Sequence, residues 1–280
     1  MSRTVGRIIN GRETSDGEGV KLKRTIGGQL EVLDPFLLLD EFKSDERNDY
    51  IGGFPSHPHR GFETVTIMFN GYMEHQDHKG NKGLLTPGSV QWMTAGKGII
   101  HSEMPKQEDG LMHGCQLWLN LPREFKMMEP RYQDISPEKI PNIEENGNKI
   151  RIIAGEYKNI TGPVEGVVTN PTLLDVELAP GQSFTEAIPI GHTAFVYVIR
   201  GSATFGQDDE SKLVKSSQLA VLEDQDTRNN VQAVAGPEGV KFLLAAAKPI
   251  KEPIARYGPF VMNTQQEIQQ AFRDYQSGKF

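Results

Sequence analysis

The chain has 280 residues, of which 37% are hydrophobic and 24% are charged. This length predicts two domains or one large β domain, and the composition is that of an ordinary globular protein, which excludes the disordered and fibrous classes. Thirty Lys and Arg against 37 Asp and Glu give a formal net charge of −7, so no general basic field favours non-specific nucleic-acid binding.

The start of the chain and its apolar runs indicate a cytosolic or nuclear protein. Residues 1–7 carry positive charge, but no apolar stretch follows that would form the core of a signal peptide. Apolar runs such as Phe36–Leu39 and Phe242–Ala247 are far shorter than the roughly 18 residues of a membrane-spanning helix. The single cysteine, Cys115, excludes an internal disulfide, and its strand-like neighbours favour a small buried residue without chemistry.

Short β-type runs alternate with turn signals along most of the chain. Glycines and Pro-Gly pairs separate the runs, as expected where tight turns need a positive φ or a proline-set φ. The pattern predicts an all-β protein of sandwich or barrel architecture. The predicted strands are Val65–Phe69, Val90–Met93, Leu117–Leu119, Thr172–Leu178, Ala194–Ile199, Leu219–Leu222 and Phe242–Ala246.

Two further segments complete the predicted organisation. Residues 123–149 carry three prolines among alternating charges and interrupt the strand pattern, which is typical of a connection between domains. We therefore expect a first barrel over residues 1–130, a connection over 131–150 and a second barrel over 151–280. Near the end, Thr264 and Glu267 have capping-box spacing and apolar residues follow at helical spacing, which predicts a short C-terminal helix.

An internal repeat relates the two halves. Residues 62–77 align with residues 192–207 at a constant offset, which places Gly71 over Gly201. Residues 114–120 align with residues 239–245 at a slightly shorter offset. The simplest account is two homologous β barrels, and the alternative is a chance similarity between β runs.

Four side chains with metal-ligand chemistry lie in the first half. His57 and His59 are two residues apart, and in extended backbone this spacing points both imidazoles to the same face. His101 and Glu103 repeat the spacing on a separate predicted strand. Imidazole and carboxylate without thiolate suit Fe(II), Mn(II), Ni(II), Cu(II) or Zn(II), and four such donors leave coordination positions open. A His-Pro-His pair alone also occurs in solvated loops, and the second pair is what favours a metal site.

Neighbouring polar residues carry alternative interpretations. Glu63 lies on the next strand, where it can be a fifth donor, an ion-pair partner of Arg60 or a hydrogen-bond partner of a ligand, and we place it beside the ligands and not on the metal. His75 and His78 stand among charged residues typical of a solvated hairpin loop, which disfavours ligation.

The remaining histidines and the tryptophans are less informative. His113 stands next to a strand start and is placed to orient a ligand or substrate, whereas His192 has no donor neighbours and is interpreted as structural. Trp92 and Trp118 are typical core residues of such strands, with lining of an apolar pocket as the alternative.

The segments around these donors resemble the motifs of a known family. Residues 53–65, GFPSHPHRGFETV, resemble the first cupin motif in its pirin form, and residues 91–105, QWMTAGKGIIHSEMP, resemble the second. LDPFLLLDEF at 33–42 and YGPFVMN at 257–263 are also similar to pirin segments. The resemblance to the pirin family covers nearly the whole chain.

This resemblance implies a bicupin of two antiparallel barrels with one mononuclear divalent metal. In pirins the metal is usually iron, which implies Fe(II) here, with Cu, Mn, Ni, Co and Zn as alternatives. The residues that match the pirin ligands are His57, His59, His101 and Glu103, whereas the general cupin pattern assigns Glu63 in place of Glu103. We follow the pirin pattern.

The repeat adds an expectation for the second barrel. At the offset of the repeat, Ala187 and Pro189 match His57 and His59, and neither side chain binds metal. The second barrel is therefore expected to be structural and metal-free.

Two functions from different classes follow from the resemblance. Some pirins are flavonol 2,3-dioxygenases, which open the heterocycle of quercetin with O2 and release carbon monoxide, and a carboxylate such as Glu103 would take the 3-hydroxyl proton. Others are redox-responsive nuclear cofactors of transcription factors. Residues 21–24 are too weakly basic to count as a nuclear signal, so we favour the enzyme. A sugar isomerase cupin is a third option, but the sequence locates no basic phosphate-binding residues around the site.

The enzymatic function carries expectations about partners and location. We expect a monomer that binds a flavonol-like molecule and O2, contacts neither nucleic acid nor membrane, and has a protein partner only if the cofactor function holds. Its location is expected to be the cytoplasm, with the nucleus admitted for a eukaryotic protein.

Overall fold

A computed structural model describes residues 1–225 and 227–280 of the chain. Each of the seven predicted strands lies within an observed strand, which confirms the all-β class. The strands are β1 (Val5–Asn10), β2 (Arg12–Asp16), β3 (Val20–Arg24), β4 (Phe36–Ser44), β5 (Phe54–His59), β6 (Phe62–Asn70), β7 (Met73–Asp77), β8 (Lys82–Leu85), β9 (Val90–Thr94), β10 (Ile99–Pro105), β11 (Met112–Asn120), β12 (Arg131–Ile135), β13 (Asn142–Glu145), β14 (Asn148–Ala154), β15 (Glu156–Tyr157), β16 (Ile160–Thr161), β17 (Thr172–Leu178), β18 (Ser183–Ala187), β19 (Thr193–Phe205), β20 (Lys212–Lys215), β21 (Gln218–Leu222), β22 (Asn230–Ala247), β23 (Ala255–Tyr257) and β24 (Phe260–Met262).

The helical segments are few and short. The α-helix α1 spans Gln265–Gln276, and single 3-10 turns lie at Arg47–Asp49, Arg123–Phe125, Pro137–Lys139 and Asp208–Glu210. The predicted capping box is present, because the Thr264 side chain accepts from the Glu267 backbone N–H at 3.2 Å and the Glu267 carboxylate accepts from the Thr264 N–H at 2.8 Å. The described part of the chain contains no helix with the length and hydropathy that crossing a membrane requires.

The chain forms two compact units. Each terminal segment belongs to the unit that is formed mainly by the other half of the chain. The first unit comprises residues 13–137 and 250–280, and the second unit comprises residues 1–12 and 138–249. This grouping differs from the division at residues 130 and 150, because β1 pairs with β21 of the second unit while residues 250–280 belong with the first. The predicted connection also contains strands: β12 pairs with β9 of the first unit, and β13 pairs with β14 of the second.

The first unit is built mainly from two antiparallel sheets and also contains the two-stranded pair β23-β24. The larger sheet has the strand order β12-β9-β6-β11-β4-β3-β2, and the smaller has the order β5-β10-β7-β8. A carboxylate of the smaller sheet, Glu103 on β10, accepts hydrogen bonds from Thr66 on β6 and Gln116 on β11. The two sheets therefore face each other across these side chains.

The second unit repeats this strand order. Its sheet runs β1-β21-β19-β22-β17-β14-β13, and β18 and β20 pair with the long strands β22 and β19. The run β21-β19-β22-β17-β14 corresponds to β9-β6-β11-β4-β3, with β6 over β19 and β11 over β22 as the sequence repeat predicts. Amino-terminal β1 stands at the edge that β12 takes in the first unit.

Four aromatic side chains lie among the mainly aliphatic residues of the core of the second unit. Phe184, Phe205, Phe242 and Tyr157 are all buried, and the ring of Phe242 lies 5.1 Å from Phe205 and 5.7 Å from Phe184, centroid to centroid, in T-shaped contacts. Such edge-to-face pairs stabilise a core beyond the apolar area they bury.

Candidate metal centre

Two neighbouring strands of the smaller sheet bring three imidazoles together. In the pairing of β5 with β10, His101 lies directly opposite His57, and Ile99 lies opposite His59. Because side chains two residues apart point to the same face, His57, His59 and His101 all project to one side of the sheet. The ring centroids are 4.6 Å apart for His57 and His59, 4.5 Å for His57 and His101, and 5.1 Å for His59 and His101.

The nitrogen atoms of the cluster are close enough to share one ion. One ring nitrogen from each imidazole lies within 4.8 Å of those of the other two, and the Nε2 atoms of His57 and His59 are 2.9 Å apart. Nδ1 of His57 lies 2.8 Å from the carbonyl of Pro55, which can only accept, so Nδ1 carries the proton and Nε2 keeps its lone pair. That lone pair lies on the side of His59, so Nε2 is the nitrogen of His57 that can bind a metal ion shared with His59.

Burial favours the neutral form of two of the imidazoles and leaves polar atoms without partners. His59 and His101 are 3% and 1% exposed. Burial lowers the pKa of His59 well below its ordinary value, and His57 and His101 lower it further; burial and His57 do the same to the pKa of His101. Among the residues that the structure describes, neither ring nitrogen of His101 has a hydrogen-bond partner. Buried polar atoms without partners are costly, and a divalent cation bound by neutral imidazoles would satisfy them.

Glu103, the fourth predicted ligand, lines the same cavity but lies outside this three-histidine group. Its Oε1 accepts from the Thr66 hydroxyl at 3.1 Å and from the Gln116 amide at 3.2 Å, and its Oε2 accepts from Gln116 at 3.0 Å. Oε1 has two donors and Oε2 has one, so Oε2 keeps a lone pair with which the carboxylate can accept a proton or a cation.

The cluster opens into a cavity of about 720 Å³, a volume within the range of small-molecule sites. Its walls come from the first unit alone. The lining residues are Asp16, Gly17, Glu18, Leu22, Arg24, Leu38, Asp40, Phe42, Phe54, Pro55, His57, His59, Glu103, Gln116, Trp118, Arg256, Gly258 and Pro259.

Glu63 stands apart from the cluster. It is 1% exposed and accepts a 2.6 Å hydrogen bond from the Thr94 hydroxyl, and burial raises the pKa of its carboxyl. Because successive side chains of a strand alternate, Glu63 projects from the face of β6 opposite to Thr66, which contacts Glu103. Arg60, the alternative ion-pair partner of Glu63, instead pairs with Asp274 at 2.8 Å.

Two other histidine interpretations need correction. His75 does not lie in a solvated loop: it is 1% exposed on β7, its Nε2 is 3.0 Å from the Asp134 carboxylate, and its ring stacks on Tyr132. His78 is exposed, as expected. His113 does not orient a ligand in the cavity, because its Nε2 lies 2.8 Å from Glu41 in a buried pair outside the lining. Residue spacing does not reveal these partners, because Glu41 lies on β4, which pairs with β11, and Asp134 lies on β12 in the other sheet from β7.

The two tryptophans differ: one is a core residue and the other lines the cavity. Trp92 is a core residue, whereas Trp118 is half-buried, lines the cavity and stands edge-on to His59 at 5.3 Å between ring centroids. Two cavity-lining residues, Gln116 and Arg256, were not identified from the sequence. Gln116 had a signal, since it lies two residues before Trp118 on one strand face, but Arg256 is remote in sequence.

Comparisons with known proteins agree with this geometry. The pirin family profile matches residues 19–119, and the pirin C-terminal cupin domain profile matches residues 173–280. A Pseudomonas aeruginosa protein named "Putative quercetin 2,3-dioxygenase" is 46% identical over 99% of this chain and 97% of its own length. Human pirin is 43% identical over 99% of this chain and 94% of its own length.

A solved structure shares the whole architecture. The crystal structure of a quercetin 2,3-dioxygenase from Acinetobacter baumannii superposes with a TM-score of 0.91 at 35% identity, and the match covers 100% of this chain and 99% of that one. Two cupin units in one chain, the motifs around His57 and His101, and full-length relatives at more than 40% identity lead to one conclusion: the chain belongs to the pirin family.

Proposed function

We propose that this protein is a metal-dependent flavonol 2,3-dioxygenase, which opens the heterocycle of a quercetin-like flavonol with O2 and releases carbon monoxide. The observation that carries the proposal is the cluster of three imidazoles, two of which, His57 and His59, line a cavity large enough for a small aromatic molecule. The names of the Pseudomonas and Acinetobacter relatives support it.

The proposal includes one divalent metal per chain, bound by His57, His59, His101 and Glu103. We take this metal to be Fe(II), while Cu, Mn, Ni, Co and Zn suit the same donors. When bound, the ion would supply Lewis acidity and redox activity toward the flavonol and O2. The unpartnered nitrogens of His101 and the 2.9 Å approach of two Nε2 atoms support a cation at this position.

The side chains of the cavity divide the remaining work. Glu103 accepts the proton of the flavonol 3-hydroxyl, and the hydrogen bonds from Thr66 and Gln116 hold its carboxylate toward the cavity. Trp118 donates from Nε1 to Oε1 of Gln116 at 3.0 Å, which orients the Gln116 amide so that its NH2 group faces Glu103. The apolar side chains Leu22, Leu38, Phe42 and Phe54 line the cavity and exclude water from the flavonol rings.

We place this activity in a cytoplasmic monomer that needs no partner other than flavonol and O2. The test is metal analysis joined to an oxygen-admission assay. The protein, loaded in turn with each candidate metal, is mixed with quercetin without O2, and O2 is then admitted. We expect O2 uptake and carbon monoxide in equal amounts with loss of the flavonol absorbance. If no candidate metal supported O2 uptake with any flavonol, the alternative of a non-enzymatic, redox-responsive transcriptional cofactor would replace the enzyme.

A further inference from the structure

Arg256 brings an unpaired positive charge to the cavity. It lies on β23 in the C-terminal segment and lines the same cavity as His57 and Glu103. Its guanidinium carbon lies 4.9 Å from the centroid of the Trp118 ring, and its Nη1 donates to the carbonyl of Leu37 at 3.3 Å. Within the part of the chain that the structure describes, it forms no ion pair.

The carboxylates nearest to Arg256 already have partners. Arg24 donates from Nε and Nη2 to the two oxygens of Asp40 at 2.8 and 2.7 Å, and its Nη2 also reaches Asp16 at 2.9 Å. This two-point geometry is the strongest that an arginine and a carboxylate form. Arg256 is therefore left with donors that no side chain uses.

The surroundings make this cation costly while the cavity holds only water. Burial lowers the pKa of Arg256 and the neighbouring charge of Arg24 lowers it further, and the opposite effect of Asp40 and Asp16 does not outweigh them. A half-buried guanidinium next to a second guanidinium is strongly stabilised by an anion within hydrogen-bond distance. The Trp118 ring, 4.9 Å from the guanidinium carbon, restricts the positions open to the Arg256 side chain.

We propose that Arg256 recognises a negatively charged group of the substrate, and that the cavity selects aromatic compounds carrying an ionised phenol or carboxylate. The inference rests on the proposed function in one respect, since it uses the same cavity. Trp118 contacts both the cation and the histidine cluster: one neighbour is Arg256, and another is the ring of His59 at 5.3 Å between centroids. The aromatic body of the ligand lies along the apolar wall, its charge at Arg256 and its reacting end toward the histidines.

A purely structural role makes a different prediction. If Arg256 only braced Trp118 and the Leu37 carbonyl, its removal would weaken charged and neutral ligands to the same extent. If Arg256 recognises the charge, its removal weakens the binding of the charged ligand and leaves the binding of the neutral one unchanged.

The test compares 2-naphthoate with its neutral analogue 2-naphthamide by isothermal titration calorimetry. Full-length wild-type protein, Arg256→Met and the control Arg273→Met are each titrated after metal removal and after loading with Zn(II). Arg273 is an exposed arginine of α1 that contacts Gln270, outside the cavity. We expect the wild type to prefer naphthoate by about tenfold, the value of one charge-assisted hydrogen bond, and the control to match it. Arg256→Met should lose that tenfold preference in both metal states and keep its affinity for naphthamide.

Three results would overturn the assignment. The wild type could show no preference for naphthoate, Arg256→Met could keep the wild-type preference, or Arg256→Met could lose affinity for both ligands equally. The titrations contain no flavonol and measure no turnover. A protein without dioxygenase activity can therefore still show the preference, and an active dioxygenase can lack it, so failure of this inference is distinct from failure of the proposed function.

Discussion

At the scale of residues, the three histidines contribute unequally to the candidate centre. His57 is partly exposed and its Nδ1 is bound to the Pro55 carbonyl, whereas His101 is 1% exposed and has no hydrogen-bond partner at either nitrogen. An imidazole that gains no hydrogen bond in the folded state has lost its hydration without compensation, and a metal ion is the partner that offsets this cost.

Replacing His101 by Ala should therefore remove the metal. We expect the metal content of the purified protein, measured by elemental mass spectrometry, to fall from one equivalent to less than a tenth. His78→Ala is the matched control, because His78 is an exposed histidine outside the cluster whose ring hydrogen-bonds backbone atoms of Ile100 and Phe280. Full metal occupancy in the His101 variant would place the metal elsewhere.

The two glutamates near the site should differ in their effect on turnover. Glu103→Gln preserves shape but removes the charge that accepts the flavonol proton, so kcat should fall by about 10²-fold or more. Glu63→Gln should change kcat far less, because Glu63 contacts Thr94 on the opposite face of β6.

The measurement is O2 uptake under saturating flavonol with metal content determined in parallel. The reverse order of effects would transfer the catalytic role to Glu63, as in the general cupin pattern.

At the scale of elements, the C-terminal segment holds the backbone that follows His59. Arg60 accepts from the Val261 N–H at 3.1 Å and donates its own N–H to Pro259 at 3.3 Å. Gly61 has a φ of +88°, and a Cβ there would lie 2.0 Å from the Val261 carbonyl, so this close approach requires glycine. The Arg60 guanidinium also lies 4.3 Å from the centroid of the Phe280 ring.

Lys126 is the polar centre of this contact. Its buried ammonium donates to the carbonyls of Gly61 and Val261 at 2.8 and 2.9 Å and to the side-chain oxygen of Asn120 at 2.7 Å. Lys126→Met would leave three buried acceptors without a donor, at about 1–3 kcal/mol each. We expect the free energy of unfolding to fall by at least about 3 kcal/mol in urea titration. Lys43→Met, at an exposed position of β4, is the control and should change it by less than about 0.5 kcal/mol. Equal stability of the two variants would show that the triple contact contributes nothing.

At the scale of the whole molecule, the two units share a strand order but differ in what their interiors hold. The first unit carries the cavity beside the histidines, and the core of the second unit is a cluster of aliphatic side chains with four aromatic rings. In the pairing of β18 with β22, Ala187 lies opposite Asn230, as His57 lies opposite His101 in the first unit. The second unit thus carries alanine and asparagine where the first carries two imidazoles.

We therefore expect a single metal site in the full-length protein. The double variant His57→Ala with His101→Ala should bind no tightly held metal after dialysis while its circular dichroism spectrum matches the wild type. Full-length protein is the right material, because residues 1–12 belong to the second unit and residues 250–280 to the first, so a fragment cut near residue 150 would leave both units incomplete. A remaining equivalent of metal in the double variant would reveal a second site.

Local sequence patterns were sufficient to predict the strands, the capping box, the internal repeat and the paired donors. Each depends on residues a few positions apart: period-2 alternation put His57 and His59 on one face, and Thr264 and Glu267 satisfy each other within one helical turn. The resemblance to pirins rested on equally local motifs, and the family assignment confirmed it.

Only the tertiary structure decided which distant residues meet. Asp134 reaches His75, Arg256 reaches Trp118, and β1 completes a sheet whose other strands begin at residue 142, because hydrogen-bond pairing and side-chain packing join segments without regard to their separation in the chain. Spacing predicted that Glu103 would lie near the histidines, but the hydrogen bonds from Thr66 and Gln116, on two strands of the opposite sheet, determine where its carboxylate points. Donor types and their faces are encoded locally, whereas the partners that orient each donor depend on the folded sheets.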